Sequence, residues 1–258
     1  MAFSLSLHHM TQTTNHNIHI IHEDEAMLVI NKPAWQLSVP GKNPNMVSAF
    51  DIASEYLGKP AFVVHRLDCA TSGLMIFAKT LDVQRKLHKS FRDRWVSKVY
   101  QAVLCTPPQQ KSGTIDLPLN TDWPNRPKQM VDYQDGKEAK TFWSHASCGL
   151  KAGVESDLKA AMPNIIPFPV YLRPYTGRTH QLRVHTQSLG HPIIGDRLYA
   201  QSHYTSEPDN SKPFKRLYLH AESLYLQHPM TKKSVYFLAQ DEFSFFKTKP
   251  HEHLMDSI

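Results

Sequence analysis

Only three cysteines occur in the 258 residues, Cys69, Cys105 and Cys148, far apart and without a C-x-x-C pair. That pattern argues against a disulfide framework and a cysteine-rich zinc site, and it fits a reducing cytoplasm. The N-terminus lacks the basic-then-apolar pattern of a secretory signal. No apolar run approaches the roughly 20 residues needed to span a membrane. No G-x-x-x-x-G-K-[ST] or G-x-G-x-x-G stretch is present, so nucleotide-cofactor chemistry lacks its usual support. No G-x-S-x-G elbow occurs either, which disfavours an α/β-hydrolase. Carboxylates are scattered, with no D-x-D or E-x-x-H cluster. His8, His9 and His16 have no matching Cys or H-E-x-x-H arrangement, so solvated polar residues explain them better than a metal. A soluble, intracellular protein without metal or cofactor is expected.

What is present is ordinary for a globular chain, with 41% hydrophobic and 20% charged residues. The net charge of +6 suits a nucleic-acid partner, although many small-molecule enzymes are equally basic. Residues 1–17 read as a loose polar tail, 18–245 as one catalytic unit and 246–258 as a C-terminal tail. IHIIHEDEAMLVINKP predicts two strands joined by an acidic turn at Glu23–Glu25 and ended by Pro33. Residues 47–58 have helical spacing with Gly58 as C-cap. Residues 80–95 predict an amphipathic helix capped by Thr80, with Leu81, Val83, Leu87 and Phe91 on its apolar face. Residues 149–166 read as a connection between strands, 179–190 as a helix capped by Thr179, and 201–213 as a polar loop. The remaining segments are strand-like and irregularly spaced, without internal repeats. An α+β domain with a large, mixed, mostly antiparallel sheet and flanking helices is therefore expected.

Two dense polar stretches stand out, HRLDCATSG at 65–73 and RPYTGRTHQLRVHTQSLGHPIIGD at 173–196. In the first, apolar runs flank a charged triplet, which is unusual for a surface turn. A local account has Asp68 paired with Arg66, or accepting the N–H of Thr71 or Ser72. In the second, Arg183 lies between apolar neighbours on a helix that Leu182, Val184 and Leu189 can anchor. Partial burial against a carboxylate suits it, and Asp68 is the natural partner. For Arg178, a solvated basic position is an equally good account.

Together, HRLD-x-x-TSG, the K-x-Y of SKVYQA, and TGRTHQLRVH followed by GHPIIGD resemble the RluA family of pseudouridine synthases. INKP, LSVPG, DLPL-x-x-DWPNRPKQ and LHAESL extend the similarity in the family's order across roughly residues 18–240. LSVPG and DWPNRPKQ look most like the family's dual-specificity subgroup, which acts on 23S ribosomal RNA and tRNA anticodon stem-loops. That subgroup lacks the N-terminal S4 domain, for which the residues before Ile18 leave no room. One departure is Trp35, where members usually carry glycine after N-K-P-x.

The resemblance implies the pseudouridine synthase fold around a central RNA-binding cleft, and isomerisation of a uridine without metal, redox cofactor or energy source. Asp68 would be the catalytic residue, attacking C1′ or accepting a C2′ proton. Arg183 would keep it ionised and fix its direction. Tyr100 would stack on the target base; outside this motif it would read as a cross-strand packing residue. The uridine would be flipped into the pocket, with Arg66 filling the vacated space. His65 is expected to shape the loop. Arg126, Lys128 and Arg178 are candidates for RNA phosphate contact, with surface charge an equal alternative for each. The expected partners are RNA alone, with no membrane, and the expected state is a monomer. Competing classes are the same chemistry on another structured RNA, a non-catalytic RNA-binding module, and a hydrolase for which no oriented nucleophile is present.

Overall fold

The acidic turn near the start forms because Asp24 Oδ1 accepts the backbone N–H groups of Ala26 and Met27 at 2.8 and 2.9 Å. It joins strand β1 (Ile20–Glu23) to its antiparallel neighbour β2 (Met27–Lys32). A computed structural model describes residues 18–146, 149–161, 165–201, 216–240 and 243. The expected tails and most of the 201–213 loop lie outside these residues.

Helix α1 (Ala49–Leu57) begins with a reciprocal capping box between Ser48 and Asp51 and ends on Gly58 at φ 62°, as its Gly58 stop signal predicts. Strands β3 (Phe62–Val63) and β4 (Ser72–Ala78) precede helix α2 (Leu81–Arg92), whose first turn is capped by Thr80. There follow β5 (Ser97–Leu104), β6 (Ser112–Asp116), β7 (Leu119–Thr121), β8 (Gln129–Val131) and β9 (Lys140–His145). The segment 149–166, expected as a plain connection, contains helix α3 (Ala152–Ala161). Strand β10 (Phe168–Pro174), helix α4 (Gln181–Ser188) and strands β11 (Leu219–Gln227) and β12 (Ser234–Leu238) complete the chain.

Ten strands form one sheet, in the order β1-β2-β4-β11-β5-β10-β9-β6, with β3 on β4 and β12 on β11; β7 and β8 make a separate hairpin. Every pairing is antiparallel except that of β4 with β11. This is the mixed, mostly antiparallel sheet of an α+β fold. Strand β4 is buried along its whole length because both faces are covered. Met75 and Phe77 pack with Ala49 and Ala53 of α1, while Leu74 and Ile76 pack with Val83 and Leu87 of α2. Its unbroken apolar run, rather than an alternating one, follows from that position.

The sheet register lines up one row from distant parts of the chain. Gly73 lies beside Ala221, Ala221 beside Tyr100, and Tyr100 beside Leu172. Gly73 sits at φ 118°, and a Cβ there would stand 2.3 Å from the carbonyl oxygen of Ala221. Only glycine permits this parallel contact. The row places the turn before β4, the middle of β5 and the end of β10 side by side.

On α2 the apolar stripe is narrower than its sequence suggests. Val83 and Leu87 are buried, but Leu81 in the first turn is 47% exposed. We expect Leu87→Ala to cost about 2–5 kcal/mol and Leu81→Ala under about 0.5 kcal/mol. Urea denaturation of both variants checks this, and similar losses would contradict the packing.

Candidate active site

The turn that follows β3 is pinned from behind. His65 Nε2 accepts the N–H of Ile76 at 3.1 Å and its ring stacks on Phe91, so it shapes the loop as expected. Ser38, from LSVPG, donates to the carbonyl of Leu67 and accepts its N–H, at 2.7 and 3.0 Å. Lys32, from INKP, is fully buried; its Nζ donates to Pro33 and Gln36 carbonyls at 2.8 Å and to that of Cys69 at 3.3 Å. Burial pushes this lysine down to about 8, against the pull of Cys69 and Asp68. Two of the opening motifs thus hold the backbone on either side of Asp68.

The local account of Asp68 is corrected by this geometry. The Thr71 N–H donates to the backbone carbonyl of Asp68 at 3.1 Å, not to its side chain. Ser72 Oγ is engaged by Arg216 Nη2 at 2.6 Å and by His220 Nδ1 at 2.8 Å. What reaches the carboxylate is Arg183 Nη1 at 3.4 Å and His180 Nε2 at 3.9 Å, while Arg66 points to the exposed side.

Arg183 is presented by α4, whose N-cap lies one residue later than its hydroxyl signal suggests. Its N-cap is His180, at φ 53° and without a side-chain cap bond; Thr179 does not cap it. The preceding turn is held instead by Gln181, whose Oε1 accepts from Thr176 Oγ1 and the Arg178 N–H at 2.8 and 2.9 Å. Its amide donates to the Lys140 carbonyl and to Thr141 Oγ1, both at 3.0 Å. Leu182 and Val184 anchor the helix, but Leu189 is 41% exposed. His185 is buried between Thr141 and the Leu117 carbonyl, a structural position.

The main partner of Arg183 is Asp196, which the sequence pattern did not single out as its ligand. Nε and Nη2 meet the two carboxylate oxygens at 2.7 and 2.8 Å, a bidentate fork, and Asp196 Oδ1 also accepts from the Leu198 and Tyr199 N–H groups. Burial alone would lower the Arg183 pKa, but the Asp196 bonds overcome it and raise it. Gly195 makes the approach possible: at φ 79°, a Cβ there would strike the Arg216 carbonyl at 2.0 Å. The Tyr199 ring faces the guanidinium at 5.1 Å.

Asp68 and Arg183 open on a cleft of about 580 Å³. Among the described residues, six cations, Arg66, Arg92, Arg94, Lys98, Arg178 and Arg183, line it with Asp68 as the single carboxylate. Tyr100 also lines it, and burial, with Asp68 second, pushes its phenol well above the ordinary value. It is therefore a neutral ring. Burial pushes Lys98 down to about 8. Arg126 and Lys128 are not among the cleft residues. They stand on the turn before β8, where the Arg126 guanidinium covers Trp123 at 3.4 Å. Just after that turn, the first residue of β8 reaches the site: the Gln129 N–H donates to Tyr199 Oη at 2.7 Å, and Tyr199 Oη lies 2.8 Å from His180 Nδ1. Lys32, Lys98, His180, Asp196 and Tyr199 are the residues that sequence reasoning missed. All but Tyr199 lie inside or beside the quoted motifs, which was the available signal. Among the described residues, no group of histidine, cysteine and carboxylate side chains is arranged to hold a metal, and no helix is long and apolar enough to cross a membrane.

Residues 26–188 match the RNA pseudouridylate synthase family. The chain is 40% identical over 224 residues to the dual-specificity RNA pseudouridine synthase RluA of Escherichia coli (strain K12), covering 87% of this chain and 93% of that one. It is 39% identical over 237 residues to RluA of Pasteurella multocida (strain Pm70), with coverages of 90% and 97%. Its fold resembles that of human RNA pseudouridylate synthase domain containing 1, at a TM-score of 0.69 and 24% identity over 93% and 94% of the two chains.

Burial pushes His65 from 6.5 down to about 3, with Lys98 adding to the shift. The unfolded chain takes up this proton near pH 6.5, and the folded chain refuses it until near pH 3. The contribution is therefore full above about pH 6.5 and is lost as pH falls, by up to ~1.4 kcal/mol per pH unit. We expect urea midpoints of His65→Gln between pH 7.5 and 5 to fall less steeply than those of the wild type, by roughly one proton's slope. Equal slopes would mean that His65 is not a neutral buried acceptor.

Proposed function

The chain belongs to the RluA-type RNA pseudouridylate synthase family, and from that premise we propose that it isomerises a specific uridine in 23S ribosomal RNA, a tRNA anticodon stem-loop, or both, with Asp68 as the catalyst. The observation that carries this is the cleft itself, in which one carboxylate stands among six cations. Such a surface attracts a polyanion and offers a single group for work at the sugar–base junction.

The reaction breaks the C1′–N1 bond, turns the uracil and joins C5 to C1′; the C5 proton leaves and N1 ends protonated. Asp68 serves either as nucleophile at C1′ or as acceptor of a C2′ proton, and both routes need it directed and unencumbered. The backbone clamps of Lys32 and Ser38 support this by fixing the turn without occupying the carboxylate. Arg183, held by Asp196, steadies the charge from one side. Tyr100, as a neutral ring at the cleft wall, stacks on the extruded uracil. Arg66, exposed at the cleft mouth, takes the place that the base leaves in the RNA. Arg178 contacts phosphate at the rim, and Arg126 and Lys128 do so farther out. The enzyme works as a cytoplasmic monomer.

RNA labelled with tritium at uracil C5 tests the chemistry. Wild-type protein should release tritium from 23S fragments or tRNA, and Asp68→Asn should release it at least roughly 10³-fold more slowly while still binding RNA. Equal release by the two proteins would remove Asp68 from the reaction. Pseudouridine mapping of both RNAs from a deletion strain identifies the target, and an unchanged map in both would overturn the target assignment.

A further inference from the structure

The chemistry above gives no role to the one histidine that stands beside the Asp68 carboxylate. His180 lines the cleft, with Nε2 3.9 Å from Asp68 Oδ2. Its backbone lies at φ 53°, a conformation that is strained for a non-glycine residue and persists only where its surroundings hold it. What holds the ring is Tyr199, edge-on at 5.7 Å with its hydroxyl at Nδ1.

The contacts along that chain fit one order of donors and acceptors. The Gln129 amide can only donate, so Tyr199 Oη accepts there, at 2.7 Å. Burial pushes the Tyr199 phenol up to about 12, so the hydroxyl keeps its proton and has it to donate to His180 Nδ1, 2.8 Å away. Burial also lowers the His180 pKa, although Asp68 opposes this, and the ring is neutral. With Nδ1 accepting, the ring proton sits on Nε2, the nitrogen that faces Asp68.

We propose that His180 is a positioning residue for the isomerisation, its Nε2–H directed by the Gln129–Tyr199–His180 chain and closing onto Asp68 when a uridine occupies the cleft. This rests on Asp68 being the catalyst. The gap must shorten by about 1 Å to become a hydrogen bond, and the Arg183 contact, at 3.4 Å, is also long. Catalytic hydrogen bonds commonly lengthen in this way without substrate and tighten with it. Asp68 is then gripped from two sides, by a cation and by a neutral donor of fixed tautomer. The chain begins at Gln129, beside Lys128, so RNA contact at that turn and the aim of Asp68 are mechanically joined.

The test is steady-state tritium release by wild type, His180→Ala, His180→Gln and Tyr199→Phe, with RNA affinity from filter binding. Glutamine sets an amide N–H near the position of Nε2–H and needs no tyrosine to choose a tautomer. Tyr199→Phe keeps the ring against Arg183 and removes only the hydroxyl. We expect His180→Ala and Tyr199→Phe to lower kcat about 10- to 100-fold with KM and Kd changed by less than about threefold. His180→Gln should recover to within about fivefold of wild type. Wild-type kcat in His180→Ala or Tyr199→Phe, a loss confined to KM, or no rescue by glutamine would overturn the proposal. If His180→Ala does not fold, the other two variants decide. A wild type that releases no tritium, or an Asp68→Asn that matches it, sinks the functional reading instead, so the two failures are distinguishable.

Discussion

The fork between Arg183 and Asp196 is the interaction on which the site depends. A buried arginine with one carboxylate partner is expensive to desolvate, and the bidentate geometry, with two further backbone donors on Asp196, is what offsets that cost. Because Nε and Nη2 are committed, only Nη1 is left to face Asp68. The guanidinium therefore cannot swing across to neutralise Asp68 in a tight pair. It stays an oriented positive end at 3.4 Å, near enough to steady the Asp68 charge without closing over it. Gly195, Gly73 and the Gln181 knot are all consequences of bringing this fork and the Asp68 turn to one row of the sheet.

The cleft follows the same economy on a larger scale. Among the described residues its cations outnumber its carboxylates six to one, yet one of them, Lys98, is depressed by burial alone. A lysine so placed favours the arrival of an anion, which restores its ordinary affinity for a proton. Exposed arginines at the rim act through solvent and are weakened by salt, whereas the inner groups are screened far less. Attraction of the polymer and direction of the chemistry are thus assigned to different depths of one surface.

Much of the fold was legible because its signals are local. Ser48, Gly58 and Thr80 mark helix ends through hydrogen bonds that span only a few residues, and the apolar run of β4 states that both its faces are covered. Asp68, Tyr100 and Arg183 were legible as a set through their motifs, and the sheet row brings them together. What was not legible depends on partners far away in sequence or on where the helix leaves the core. Asp196 sits beyond the end of α4, and nothing in its spacing names Arg183. Thr179 has the right hydroxyl for a cap, but the Gln181 side chain already binds the turn, so the helix starts later. Leu81 and Leu189 have helical spacing, yet both sit at the ends of their helices and are exposed.

Trp35 departs from the glycine usual at its position, and its backbone stands at φ 64°, the left-handed region that glycine occupies freely. The indole is covered by the Arg197 guanidinium at 4.8 Å, next in the chain to Asp196. Strain and stacking at this one residue have opposite signs and each amounts to about 1 kcal/mol. Exchange with glycine is therefore nearly neutral as long as Arg197 is free to vary with it. A glycine at this position would therefore relieve the backbone strain and remove the ring that covers Arg197 in a single step.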